Sequence, residues 1–352
     1  MITKKRALII LTPGFAVNES DSTCLPFLQT FLRNLKENYS ELNIIVLAFQ
    51  YPLKNSSYRW HGIEVTSFRG YRRSKIYKVV QLVKILNRLK KLNRGTNIIG
   101  LLSLWCNECA WIGKRFSKKN NLKHYCWIWG QDARPGNKYV RRIHPSENEL
   151  IALSDFLRSE FEKNYSIRPE HVIPPGIDYS LFPKDKSDRT IDILGVGSLI
   201  PLKQYDLFLK IISELKKSFP QIHAVLCGKG PEEYSLKIQS EQLGLQENIL
   251  FTGELSYSDV LQLMSQSKIL LHPSSYEGFS GVCQEALFAG AHVISFCRAM
   301  NRPIKNWHIV KNMEEMTQKS RAILNTPQSE FTPILEYPIS QTSKKIMNLF
   351  GL

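Results

Sequence analysis

Two carboxylates, Glu277 and Glu285, have seven residues between them and flank a turn that holds Gly278 and Gly281. An apolar, β-rich run, Lys268–Leu271, precedes the turn, and a helical pattern starting near Val282 follows it. The backbone N–H groups of Phe279, Ser280, Gly281 and Val282 fall at that helix start. Unpaired donors and the helix dipole favour an anion there, and glycine lets a ligand come close to the backbone. A phosphate fits such a cradle, and a carboxylate cannot bind a phosphate. The glutamates are then left to accept hydrogen bonds from hydroxyls. A ligand with phosphate and many hydroxyls is a nucleotide sugar. Glu285, about one turn into the helix, is within reach of a ribose, and Glu277 lies where a sugar would sit. The plainer alternative is a helix-start carboxylate favoured by the dipole plus a turn glutamate.

Two further strand–loop–helix passages favour the first reading. Ile191 to Asp206 carries Gly195, Gly197 and Ser198, then Lys203. It lacks the third glycine of a dinucleotide fingerprint and is not a Walker loop. A lysine there can meet a diphosphate as a point charge; the plainer alternative, favoured for this feature by itself, is a solvated lysine in a turn. Val225 to Glu233 is a second such passage, with Gly228 and Gly230; its plainer alternative is a tight turn.

Taken in order, these motifs resemble the family 4 glycosyltransferases, a group 1 family. Pro174-Pro175-Gly176-Ile177-Asp178 with Phe182 is similar to the family's interdomain segment. Gly195–Leu199 with Lys203, Gly228–Glu232, and Glu277-Gly278-Phe279 through Glu285-Ala286 are similar to its nucleotide-side loops and its two-glutamate signature. The resemblance implies an α/β fold of the GT-B type, two doubly wound Rossmann-like domains facing a central cleft. It implies retaining transfer of a sugar from a UDP-, GDP- or ADP-linked donor to a saccharide or lipid-linked acceptor, as in cell-surface polysaccharide or lipopolysaccharide synthesis. No metal and no cofactor beyond the donor is expected. On the donor side it assigns the diphosphate to Lys203, phosphate to the Phe279–Val282 amides, the ribose to Glu285 and the sugar near its reacting carbon to Glu277, with Gly197, Ser198 and Gly228 lining the site.

Three departures stand out. Ser198 occupies a position where the family often has arginine, and the segment Cys297–His308 lacks the usual glycines, leaving Arg298 or Arg302 as charge substitutes. In the first domain, Trp129-Gly130-Gln131-Asp132 stands where many members carry a histidine. Asp132 is the polar group there and, with Glu277, a catalytic candidate; Gly14, Phe15 and Trp129 are assigned to the acceptor side. A non-catalytic GT-B sugar-binding protein and a Rossmann dehydrogenase are the competing readings.

Several elements must position these groups. The chain has 352 residues, more than one ordinary core holds. Apolar runs such as Ala7–Leu11, Asn43–Phe49, Asn97–Leu102, Tyr125–Trp129, Ile191–Val196 and His292–Phe296 alternate with helix-like stretches such as Leu25–Lys36, Lys75–Leu92 and Tyr205–Ser218. That alternation predicts parallel sheets with helices on both faces. The expected division is an acceptor-binding domain at 1–180 and a nucleotide-sugar-binding domain at 181–335. A C-terminal helix within 336–352 is expected to pack back on the first.

Charge separates the halves. Residues 1–150 hold 26 Lys and Arg against 9 Asp and Glu, whereas 151–352 hold 21 against 22. A negative partner that touches only the first half is implied. Between Tyr71 and Arg94, apolar Ile76, Val79, Val80, Val83, Leu86 and Leu89 alternate with basic residues. The apolar positions read as the core side of an outer helix. The basic side could meet an anionic membrane, which suits a lipid-linked acceptor. No nucleic-acid motif is present. Cys106 and Cys109 have no matching second pair, so no zinc site is complete. The seven cysteines lack framework spacing, and no apolar run nears the ~20 residues of a bilayer span. A cytoplasmic protein is expected, peripheral at the inner membrane face. His124, His144, His171 and His272 read as structural.

Overall fold

The computed structural model describes residues 4–184, 188–325, 327 and 331–352. The chain forms two compact units, Met1–Gly176 with Ile339–Leu352, and Ile177–Pro338. Each is an α/β layer structure around one sheet, so the fold class is α/β with two Rossmann-like units of the GT-B type.

The first unit holds strands β1 (Arg6–Gly14), β2 (Asn43–Tyr51), β3 (Asn55–Trp60), β4 (Ile63–Phe68), β5 (Asn97–Leu104), β6 (Lys123–Ile128), β7 (Leu150–Ala152) and β8 (His171–Val172). Their order is β3-β4-β2-β1-β5-β6-β7-β8. All neighbours are parallel except the β3–β4 hairpin at the edge. Ala7 to Leu11 of β1 are fully buried, which is why that run has no polar alternation. Around the sheet lie α1 (Pro26–Asn38), α2 (Lys75–Gly95), α3 (Glu108–Asn120), α4 (Lys138–Ile143) and α5 (Asp155–Tyr165).

The second unit has β9 (Ile191–Val196), β10 (Ala224–Cys227), β11 (Ile249–Gly253), β12 (Ser267–His272), β13 (His292–Ser295) and β14 (Trp307–Ile309), all parallel, in the order β11-β10-β9-β12-β13-β14. Its helices are α6 (Tyr205–Lys216), α7 (Glu233–Gln242), α8 (Tyr257–Ser265), α9 (Gly281–Phe288) and α10 (Met313–Leu324). Phe208, Leu209, Ile212 and Leu215 put one face of α6 into a core shared with Leu226, Ile269 and Met316. In both sheets the strand order turns back on itself, at β1/β5 and at β9/β12. Ligands in such sheets gather outside the carboxyl ends of the strands at that point.

A last helix, α11 (Ile339–Phe350), belongs to the first unit. Phe350 meets the Tyr125 ring edge-on at 5.1 Å, and Tyr125 Oη and Lys123 Nζ donate to the Leu349 carbonyl at 3.0 and 2.9 Å. Thr342 Oγ1 donates to the Pro174 carbonyl at 3.0 Å.

One helix is turned the other way from its sequence reading. The buried side of α2 is Gln81, Ile85, Leu89 and Leu92, and Gln81 Nε2 donates to the Phe49 carbonyl. Ile76, Val79, Val80 and Val83 instead face outward, 79%, 61%, 46% and 52% exposed. Ile85 comes nine residues after Ile76, roughly two and a half turns, so the two lie on opposite sides of the helix. The expectation that all six apolar positions pack inward is corrected: α2 has two apolar stripes, and only the one containing Ile85 and Leu89 reaches the core.

Candidate functional site

The switch point of the second sheet brings the donor-side candidates together. β9 and β12 are parallel neighbours, so their following loops emerge side by side. Ser275 N donates to the Leu202 carbonyl at 3.0 Å and locks one loop to the other. Lys203 thereby reaches Glu277, with 2.5 Å between Nζ and Oε1. His272, the last residue of β12, places Nε2 3.0 Å from the same oxygen and 3.2 Å from Ser280 Oγ. Burial alone would raise the Glu277 carboxyl; the His272 hydrogen bond and the Lys203 charge overcome it and bring the pKa down to about 2. Burial lowers the His272 pKa, against the pull of Glu277. A neutral imidazole with its proton on Nε2 then donates to a carboxylate that stays ionised at any working pH.

The other glycine loops are pressed together. Gly197 N donates to the Cys227 carbonyl at 3.0 Å, and Leu199 N to the Lys229 carbonyl at 2.9 Å. A Cβ on Gly228, at φ +147°, would lie 1.9 Å from the Gly197 carbonyl oxygen. Ser198 between them is exposed. Gly281, first residue of α9, differs: a Cβ there would meet nothing within 4 Å. The N–H groups of Gly281 and Val282 have no intrahelical acceptor at this end, and Phe279 and Ser280 are buried just before them.

Glu285 lies one turn into α9, and Tyr257 Oη donates to its Oε1 at 2.8 Å. Burial raises its pKa to about 7, with the Tyr257 hydrogen bond opposing. A raised folded pKa means that between about 4.5 and 7 the native state binds more protons than the unfolded chain. Stability from this group is complete below that window and is lost as pH rises through it, by roughly 3 kcal/mol in total. Lowered pKa values at His272, His124 and His308 act in the opposite direction, so the difference between two proteins is the informative quantity. The melting temperature of Glu285→Gln minus that of the parent should climb from pH 5 to pH 8; parallel melting curves would contradict this.

Sequence reasoning misses His272 as a site group and misses Tyr257 and Tyr205. Tyr205 is fully buried, its hydroxyl lies beside the Gly197 loop, and that oxygen has no hydrogen-bond partner among the described residues. None of these links is legible in sequence: His272 meets Glu277 through the fold of one loop, and Tyr257 meets Glu285 through the packing of α8 on α9. The arginines divide. Arg302 is engaged by Glu336 and by Tyr337 Oη. Arg298 is exposed and lines a small recess with Trp307 and Ile309.

In the first unit, Gly14 ends β1 and Trp129 follows β6, both at carboxyl ends of parallel strands. Trp129 stacks on Trp105 at 4.9 Å between ring centroids, and its Nε1 is buried without a partner among the described residues. Phe15 offers no ring to a ligand: it is fully buried, edge-on to Trp60 at 5.0 Å. Asp132 is also enclosed. Its carboxylate accepts from Cys106 N at 2.8 Å, Trp129 N at 3.0 Å and Gly130 N at 2.8 Å. Burial raises its pKa while these bonds oppose. That geometry makes Asp132, a catalytic candidate in the sequence, the anchor of the Trp129–Asp132 turn, its carboxylate occupied by three backbone N–H groups. Cys106 and Cys109 are buried and unbridged. Among the described residues no group of three or more His, Cys, Asp and Glu is placed to hold a metal, and no helix is long and apolar enough to cross a membrane.

Solved structures with this fold include Anabaena HepE in complex with UDP and glucose, at TM-score 0.70 and 15% identity over 98% of this chain and 99% of that one. Staphylococcus aureus TarM, at TM-score 0.72 and 13% identity, covers 100% and 99%. At such identities the likeness is one of fold. Curated relatives include the phosphatidylinositol N-acetylglucosaminyltransferase gpi3 subunit of Schizosaccharomyces pombe, 28% identical over 56% of this chain and 44% of that protein. The phosphatidylinositol N-acetylglucosaminyltransferase GPI3 subunit of Saccharomyces cerevisiae is 29% identical over 43% of this chain and 36% of its own length. The chain thus spans less than half the length of these two relatives. Residues 180–327, which hold every donor-side residue named above, match the family of glycosyl transferases group 1.

Proposed function

We propose that this protein is a family 4 glycosyltransferase that moves a sugar, with retention and without a metal, from a nucleotide sugar to a saccharide or lipid-linked acceptor. The observation that carries the reading is the Lys203–Glu277–His272 cluster at the switch point beside the open start of α9. A cation and the N–H groups at the start of α9 suit a diphosphate, and they stabilise it further as negative charge develops on leaving. Glu277, fixed as a carboxylate, faces the sugar hydroxyls near the reacting carbon, and Glu285 takes the ribose. The names of the two yeast relatives, both phosphatidylinositol N-acetylglucosaminyltransferases, support a lipid acceptor. The Trp105–Trp129 stack is the apolar surface we assign to it, together with Gly14. A cytoplasmic site of action suits seven cysteines that are all free thiols.

Thermal melting with UDP, GDP and ADP tests the donor assignment. Ligand that binds only the native state at tenfold its Kd should raise the melting temperature by about 3 °C. One base should exceed the others. No shift with any of the three would remove the nucleotide from the proposal.

A further inference from the structure

Single exposed apolar side chains need no explanation, but the outward stripe of α2 is four of them on one helical face. Ile76, Val79, Val80 and Val83 follow the three- and four-residue spacing that aligns side chains along a helix. Tyr71, just before the helix, is 48% exposed as well. Further along the same face the chemistry changes: Asn87, Lys90 and Arg94 continue the spacing, and Lys84 and Lys91 flank it, all exposed. No Asp or Glu occurs in the 21 residues of α2. The acidic group that meets it from a neighbouring strand is Glu64, which pairs with Arg88.

The pattern selects its occupant. A second copy of this chain would set one basic face against another. Nucleic acid would satisfy the lysines and leave the valines and Ile76 in water. A bilayer with anionic headgroups satisfies both, because an apolar boundary lies directly beneath a negative surface. The basic excess of residues 1–150 has the same sign requirement.

We propose that the outer face of α2 is a docking surface for an anionic membrane, with Ile76, Val79, Val80 and Val83 set into the headgroup boundary and Lys84, Lys90, Lys91 and Arg94 on lipid phosphates. The proposal goes beyond the sugar-transfer reading and does not depend on it, since its test measures lipid recovery rather than turnover or nucleotide binding.

Flotation of the full chain compares vesicles of phosphatidylcholine with vesicles of phosphatidylcholine and phosphatidylglycerol. Partition into the anionic vesicles should be at least about tenfold stronger and should weaken as salt is added. Val79→Ser with Val83→Ser should reduce partition by about tenfold, given the apolar surface withdrawn from the boundary. These side chains touch solvent, so the melting temperature should hold. Changing Lys84, Lys90 and Lys91 to Gln should erase the preference for anionic vesicles. Equal recovery from both vesicles, or valine variants that bind as the parent does, would overturn the proposal. So would a dimer seen by light scattering that the valine variants dissolve while lipid recovery stays at background; that result would assign the stripe to a second copy.

Discussion

Glu277→Gln is expected to lower the rate of sugar transfer by roughly 10²–10³-fold while nucleotide binding persists. That is the usual cost of removing one preorganised charged or hydrogen-bonding group from a reacting centre. The substitution keeps the shape of the side chain and removes its charge. In the parent, Lys203 Nζ at 2.5 Å and His272 Nε2 at 3.0 Å both converge on Oε1, so this oxygen is oriented as well as ionised. An amide accepts these donors more weakly, and its NH₂ group repels them if it turns toward them. Both the charge and the aim of the group are lost. Part of the loss should appear as stability, up to about 3 kcal/mol, because the ammonium is left in a largely enclosed place without its counter-charge. Turnover must therefore be scaled to the folded fraction. The decisive comparison is single-turnover transfer beside the nucleotide-induced melting shift. Loss of the first with retention of the second separates chemistry from binding. Unchanged turnover with nucleotide binding intact would leave a sugar-binding protein whose glutamate has no catalytic part.

Gly228→Ala is expected to destabilise the protein by about 3–5 kcal/mol, from overpacking combined with backbone strain. Its added methyl would sit 1.9 Å from the Gly197 carbonyl oxygen at φ +147°. Both partners are backbone at the ends of paired strands, so neither can swing aside as a side chain would. Relieving the clash means opening β9 from β10, which also moves the Lys203 loop. Gly281→Ala is the natural control, because its methyl enters open space. It should change stability by no more than about 0.5 kcal/mol. Denaturant unfolding of the two variants checks the contrast. Similar stabilities for both would show that the glycine loops are not packed backbone to backbone.

The donor side is more legible in the sequence than the rest of the molecule. β9 and β12 are short buried apolar runs followed by glycine-bearing loops, and α9 begins at Gly281, one residue before the pattern suggests. The β3–β4 hairpin gives no such signal: Asn-Ser-Ser-Tyr-Arg-Trp is an exposed edge strand with almost no apolar alternation. β8 and β14 have two and three residues, too few for a period to appear. α2 misleads for a different reason. Its apolar residues are numerous enough to make two stripes, and periodicity detects a stripe without saying which one a sheet will cover. Phe15 and Asp132 do follow their strands, yet strand position does not tell whether a side chain turns outward to a ligand or inward to Trp60 or to backbone N–H groups. His272 reads as structural in the sequence because a strand-end histidine five residues before Glu277 carries no sign that the loop folds back to bring the two together.

α11 gives the molecule a particular order of assembly. The first unit is assembled from segments separated by the whole second unit. A chain emerging from the ribosome can close 177–338 as a continuous folding unit. The earlier-made unit must wait, with the surface around Tyr125 and Lys123 uncovered, until Phe350 has been synthesised. The half made first is thus the half finished last.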